Sequence, residues 1–324
     1  MNNLSLPITD STPIVEVVAA VITRPDGQFL LTRRPAGKVY SGYWEFPGGE
    51  VEKNESLLHA LERELWEELG IQLRHAYPWI TRIFTYSHAT VRLHFFRVVE
   101  WEGRPSPREK QGLFWQWPQQ VEVSPILPAN APILQALLLP SVYAITRATE
   151  IGIESALMQI EQALQNGLKL LQIREKQMAK DLLREFSMQV LALARAYQAK
   201  VLINGNVEFA HEIGANGVHF TSSQLMAMSC RPDAGYGLCS ASCHNAEELF
   251  AAEQLELDFV VLGPVQPTLS HVGLSALGWR KFAALIRGYP LPVYALGGLC
   301  REDLPAAQEM GAHGIAIMRE IVNL

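Results

Sequence analysis

The chain has 324 residues, 48% apolar and 19% charged, which is enough for about two packed domains and excludes a disordered, low-complexity protein. Its 27 Lys and Arg against 33 Asp and Glu give a net charge of -6, which argues against a broad nucleic-acid footprint but allows a small anion chelated to a metal. No apolar run approaches the about 18 residues that cross a bilayer, and the opening "MNNLSLPITDSTP" is polar and lacks a basic leader, so the expected location is the cytoplasm with no membrane partner.

In chain order, "VEVVAAVIT" and "QFLLTRR" read as strands around the turn Pro25-Asp26-Gly27, and an acidic helix follows. Strands near "WITRIFTYS" and "TVRLHFFRVVEW" come next, then a short helix, "APILQALLL", that stops at Pro140. In the acidic helix Glu64, Glu67 and Glu68 stand at i, i+3 and i+4, within about 6 Å of one another, with only Arg63 among them. Like charges at that spacing destabilise a helix, so the arrangement makes most sense if a cation sits there. Gly48-Gly49, just before it, reads as a loop whose backbone can approach a ligand closely.

The second half changes rhythm. Apolar strands "SVYAIT", "LKLLQIR", "AKVLING", "NGVHF", "GYGLCS", "DFVVLGPV", "PVYALGG" and "HGIAIM" alternate with amphipathic helices such as "SALMQIEQALQNG" and "LLREFSMQVLALARAYQA". Eight strands in that alternation predict a closed parallel barrel. Cys230, Cys239, Cys243 and Cys300 all fall here without a paired CxxC pattern, so buried thiols are expected rather than disulfides or zinc.

Gly49, Glu55, Arg63-Glu64-Leu65, Glu67-Glu68 and Gly70-Ile71, at these spacings, resemble the Nudix box without a departure. Leaving out the apolar Leu65 and Ile71, the seven Gly, Glu and Arg letters at about one in fifteen each recur by chance at about 10⁻⁸ per window, so coincidence is negligible. The resemblance implies an α/β/α sandwich with a mixed sheet over residues 1–139. It also implies a Mg²⁺ site, with Mn²⁺ as substitute, built from the Gly48 carbonyl, Glu64, Glu67, Glu68 and the loop residue Glu109. Glu64 and Glu67 would complete or activate it, with Arg63 orienting the carboxylates. Metal-assisted attack of water on a diphosphate linkage is the reaction implied.

Over residues 14–138 the likeness is closest to the MutT-type branch, which hydrolyses 8-oxo-dGTP to the monophosphate and pyrophosphate; it rests on "LLTRRPAG", "YWEFPGGEVE", "VEWEGRPSPREKQGLFWQW" and "LPAN". It implies a small nucleoside triphosphate as substrate, met by Arg34, Glu45, Phe46, Pro47, Gly48 and Asn130, although Phe46 equally suits a core. The Asn130 carboxamide can donate to O6 of an oxidised guanine and accept from its N7-H, where ordinary guanine has only an acceptor. Its place before Ala131-Pro132 also suits a helix cap. The family's second base-contacting arginine aligns near Ala89, so part of that pocket has changed.

Residues 140–324 resemble the thiamine-phosphate synthase and TenI family, a (β/α)8 barrel with its site where the strands end. The resemblance implies ligand contacts at Gln172, Arg174, Lys176, Asn204, Gly297 and Gly298, the two glycines forming a phosphate cup with the turn at Arg319. It makes His244 the proton carrier of a TenI-like tautomerase acting on a phosphorylated thiazole. The two aspartates with which the synthases hold Mg²⁺ correspond to Gly205 and Gln224, and their pyrophosphate-binding lysine to His271, so synthase activity is not expected. Three functions follow: 8-oxo-dGTP hydrolysis with a barrel of open activity, hydrolysis of thiamine-pathway diphosphates, or a barrel that only senses ligand or serves as scaffold.

Overall fold

A computed structural model describes residues 14–233, 235, 237–267, 276–319 and 321. The polar opening segment and His271 lie outside the described residues. Of those described, residues up to 76 and 81–131 form one compact unit, and 77–80 with those from 132 onward form another.

In the first unit, β1 (Val15–Ile22), β2 (Phe29–Arg33), β3 (Trp44–Glu45) and β4 (Gly48–Glu50) precede the acidic helix α1 (Leu57–Leu69). β5 (Gln72–Thr85), of which residues 77–80 fall in the second unit, β6 (Thr90–Glu102) and β7 (Gly112–Gln116) follow. The expected mixed sheet has the order β4-β1-β6-β5, and β3-β2-β7 forms a second, antiparallel one. β1 is apolar apart from Glu16, and β6 runs parallel beside it, Val15 opposite Val91 through Ile22 opposite Val98. Val18, Ala20 and Ile22 take one face of β1, and Leu61, Leu65 and Leu69 of α1 pack in the same core. Ser56 caps the helix by accepting from the His59 N–H, and left-handed Gly70 ends it.

The Gly48-Gly49 loop expected from sequence is instead the strand β4, paired antiparallel with β1 at Ala19 and Val18. Its glycines answer a steric demand. A Cβ on Gly48 would stand 2.0 Å from the Val18 carbonyl oxygen, and Gly48 has φ +147°. The residue that precedes the acidic helix is thereby held by sheet pairing.

In the second unit, α2 (Ala131–Leu137) leads to the barrel strands β8 (Val142–Ile145), β9 (Leu170–Ile173), β10 (Lys200–Asn204), β11 (Gly217–Phe220), β12 (Leu238–Cys243), β13 (Phe259–Leu262), β14 (Val293–Leu296) and β15 (Gly314–Ile317). They close in sequence order, β15 pairing with β8. Between them lie α3 (Ala148–Ile151), α4 (Ile153–Gln165), α5 (Lys180–Ala196), α6 (Val207–Glu212), α7 (Ser222–Ala227), α8 (Ala246–Gln254), α9 (Gly278–Ile286) and α10 (Leu304–Glu309). Tyr143, Phe259 and Tyr294 fill the interior with ring centroids 5.1 to 5.8 Å apart. Above them the interior turns polar: Gln172 Nε2 donates to the Tyr143 hydroxyl at 2.9 Å, and His219 joins Ser240 at 2.8 Å. Among the described residues no helix is long and apolar enough to cross a membrane.

Gly48→Ala should cost the first unit at least about 2 kcal/mol, because the backbone must both leave a glycine conformation and open the β1-β4 pairing. Urea unfolding without added metal, followed through the tryptophans, measures it.

Candidate active site and a second cavity

Arg63 holds the acidic helix together. Its Nε and Nη2 donate to Glu55 at 3.0 and 2.9 Å, and its Nη1 to Glu64 at 2.7 Å and to Glu67 at 3.3 Å. Nη2 also reaches the Glu50 carbonyl at 3.0 Å, which ties the fork to β4. Hydrogen bonding to Glu55, then to Glu64, raises the guanidinium's own pKa, so the fork stays charged. Glu68 stands outside it. Its Oε2 accepts the Gly48 N–H at 3.3 Å, while burial and then the charges of Glu45 and Glu64 push its pKa up to about 8. Burial also raises Glu64, against the pull of Arg63.

Glu109 comes from the loop before β7 and takes Lys38 Nζ at 2.9 Å. Buried Gln111 fastens that loop to the end of α1: its Nε2 donates to the Glu68 carbonyl at 2.8 Å and its Oε1 accepts the Glu109 N–H at 2.7 Å. Lys38 and Gln111 escaped the sequence reading because each is one polar residue in a polar loop, and only the fold brings them to the carboxylates.

Among the residues expected to meet a nucleoside, Arg34 Nη1 meets both oxygens of Glu45, at 2.8 and 2.6 Å, and its Nε donates to the Val39 carbonyl. Phe46 and Pro47 correct the expectation of a pocket wall. Phe46 is 3% exposed between Phe29 and Phe95, and Pro47 is buried with its carbonyl taken by the Ala20 N–H. Side chains alternate along an extended chain, so with Glu45 turned to Arg34 its neighbour turns to the core. Beside Ala89, His88 stacks on Tyr86 at 5.5 Å and Tyr40 stands 5.4 and 5.9 Å from the two rings. Asn130 lies in a 3-10 turn, Pro128–Asn130, running straight into α2, and its Nδ2 is buried without a hydrogen-bond partner.

In the barrel, a cavity of about 510 Å³ opens where the strands end. Gln172, Arg174, Lys176, Asn204, Gly297 and Gly298 all line it, together with His244 and Arg319. No Asp or Glu does so among the described residues. Arg174 lowers the pKa of Lys176, and burial lowers that of Arg174. His219 bonds Ser240 and Ser242 at 2.8 and 2.9 Å, and burial, with Arg174 nearby, takes its pKa down to about 3, so it is neutral. His244 is gripped by Glu248, whose Oε2 accepts from its backbone N–H at 2.7 Å and lies 2.9 Å from its Nδ1. Gly205 and Gln224 meet: Gln224 Nε2 donates to the Gly205 carbonyl at 2.6 Å, and its Oε1 accepts the Thr221 N–H at 3.0 Å.

The profile of the family described as NUDIX domain matches residues 13–137, and that described as thiamine monophosphate synthase matches residues 142–321. The CTP pyrophosphohydrolase of Escherichia coli is 40% identical over 125 residues, 39% of this chain and 92% of that protein. The 8-oxo-dGTP diphosphatase of Haemophilus influenzae is 37% identical over the same shares. A thiamine-phosphate synthase of Desulfitobacterium hafniense is 30% identical over 188 residues, 56% of this chain and 89% of that protein. The chain belongs to both families.

Its first part is thus a Nudix pyrophosphohydrolase and its second a thiamine-phosphate synthase/TenI barrel. Nudix hydrolases generally use a divalent cation such as Mg²⁺. Among the described residues no three His, Cys, Asp or Glu side chains already stand as a metal-binding group. The residues present nevertheless fit one. They are hard oxygen donors, Glu68 is crowded by the carboxylates of Glu45, Glu64 and Glu109, and Gly49 leaves the space where a Cβ would lie 2.3 Å from Glu64 Oε1. Substrate oxygens would complete such a set, as is usual for Mg²⁺.

Glu64→Gln and Glu68→Gln should each lower kcat at least about a hundredfold with the fold intact. Without Mg²⁺ both variants should melt no lower than the parent, because each removes a crowded charge. Near-parental turnover in both would refute the site.

Proposed function

We propose that the Nudix domain hydrolyses 8-oxo-dGTP to 8-oxo-dGMP and pyrophosphate, a Mg²⁺-dependent step that clears oxidised nucleotide from the cytoplasmic pool before replication uses it. The buried, unpartnered Nδ2 of Asn130 carries this reading. A donor left unsatisfied in a closed site is costly, so it is best explained by a ligand acceptor that meets it. The oxidised guanine edge offers such an acceptor at O6 and, at N7-H, the donor that the same carboxamide can accept. Plain guanine sets an acceptor against an acceptor.

The Gly48 carbonyl, Glu64, Glu67, Glu68 and Glu109 would hold the Mg²⁺. When bound, it supplies charge neutralisation and Lewis-acid polarisation of phosphoryl oxygen. The chain's own groups do the rest. Arg63 keeps Glu64 and Glu67 aligned, and a carboxylate of that pair takes a proton from the attacking water. Arg34 and Glu45, locked together, form one side of the nucleoside pocket, and the Tyr40, Tyr86 and His88 rings lie near it. Steady-state hydrolysis of 8-oxo-dGTP, dGTP, CTP and thiamine-type diphosphates by the full chain tests the assignment, and a kcat/KM for 8-oxo-dGTP no better than for the others would overturn it. Asn130→Ala should cut the preference for 8-oxo-dGTP over dGTP by at least about tenfold, whereas a uniform loss on both would mean that Asn130 only shapes the turn.

For the barrel, the bond between Gln224 and the Gly205 carbonyl supports a ligand held without Mg²⁺. A neutral amide and a glycine present no carboxylate, and the amide is spent on the backbone, so these positions do not fit the synthases' cation. The reading is a site for a monophosphorylated heterocycle such as thiazole phosphate. Backbone N–H groups at Gly297 and Gly298 would meet its phosphate, and His244, steadied by Glu248, would move a proton. Calorimetric titration of the full chain with thiazole phosphate should give the same affinity with and without Mg²⁺. Strict Mg²⁺ dependence would contradict the reading, and no binding at all would favour a scaffold.

A further inference from the structure

The two arginines of the nucleotide site are already committed within the chain. Arg63 is shared among Glu55, Glu64 and Glu67. Arg34 binds both oxygens of Glu45 and the Val39 carbonyl, in a pair whose side chains are only 24% and 21% exposed. Opening such a pair strands a buried charge, so Arg34 is a poor candidate to leave Glu45 for a ligand.

Lys38 is placed differently. It lies in the turn between β2 and β3, and its ammonium meets Glu109 from the other side of the chain, 71 positions on, at 2.9 Å. The pair is 49% and 40% exposed, so exchanging partners costs it little. The same ammonium is within electrostatic reach of Glu68, Arg34 and Glu45. The turn that carries it is built rather than loose: Arg34 donates to the Val39 carbonyl, the Ser41 N–H to the Lys38 carbonyl and the Tyr43 N–H to the Tyr40 carbonyl.

We propose that Lys38 binds the terminal phosphates of the nucleotide, leaving Glu109 when the triphosphate enters. The inference rests on the nucleoside-triphosphate reading given above. An incoming triphosphate carries more negative charge than the two committed arginines can answer, and an ammonium with three freely rotating donors suits a phosphate oxygen whose position changes as the bond breaks. Departure of Lys38 also uncovers Glu109, one of the carboxylates assigned to the cation.

The role is independent of the base, and that separates it from Asn130. In steady-state assays on the full chain with Mg²⁺, Lys38→Gln should raise KM for 8-oxo-dGTP, dGTP and CTP alike by at least about tenfold while kcat stays within about threefold. Lys38→Arg should recover most of the loss. Inhibition by 8-oxo-dGMP, which lacks the terminal phosphates, should be the same in Lys38→Gln as in the parent, and a general structural defect would not spare it. An unchanged KM in Lys38→Gln, or equal weakening of 8-oxo-dGMP, overturns the inference while the hydrolase reading stands. Failure of the parent to turn over any of the three triphosphates overturns both.

Discussion

The arrangement of the first unit follows from one electrostatic problem, three carboxylates that a helix brings to the same side. Glu64, Glu67 and Glu68 repel one another wherever α1 forms, and Arg63 answers only the first two, spending the rest of its fork on Glu55 and on the Glu50 carbonyl. Glu68 is left to burial and to like charges. What surrounds it follows from that imbalance. β4 is laid against β1 by glycine, so its backbone reaches the helix, the Gly48 N–H takes one Glu68 oxygen, and Gln111 ties the Glu109 loop to the helix end. A site with its charges half balanced is a site arranged for a cationic partner.

Much of this was legible in the sequence because it is written in local spacing. The i, i+3, i+4 glutamates, the eight apolar strands and the glycine pair each need only a short window. What escaped needs contacts between distant segments. Lys38 meets Glu109 across 71 positions, Gln111 reaches Glu68 across 43, and neither polar loop announces this. The strand at Gly48–Glu50 was read as a loop because glycines depress strand propensity, and the steric reason for them lies on another strand, at Val18. Phe46 suits a pocket or a core by sequence, and alternation of side chains turns it to the core between Phe29 and Phe95.

The barrel shows the converse, a difference visible in the sequence whose meaning came from geometry. Gly205 and Gln224 stood out as departures from a carboxylate pair. Only in the fold do they appear as one bonded unit, the Gln224 amide bridging the Gly205 carbonyl to Thr221. The two positions form a brace between adjacent strand ends.

That cavity also holds Arg174 and Lys176 side by side with no acid among the lining residues described. The two like charges repel, as the lowered pKa of Lys176 reflects, and anything that binds only the folded form shifts the folding equilibrium toward it. If the barrel takes the anion proposed for it, how long a molecule of this protein survives a protease would depend on how much of that anion is present.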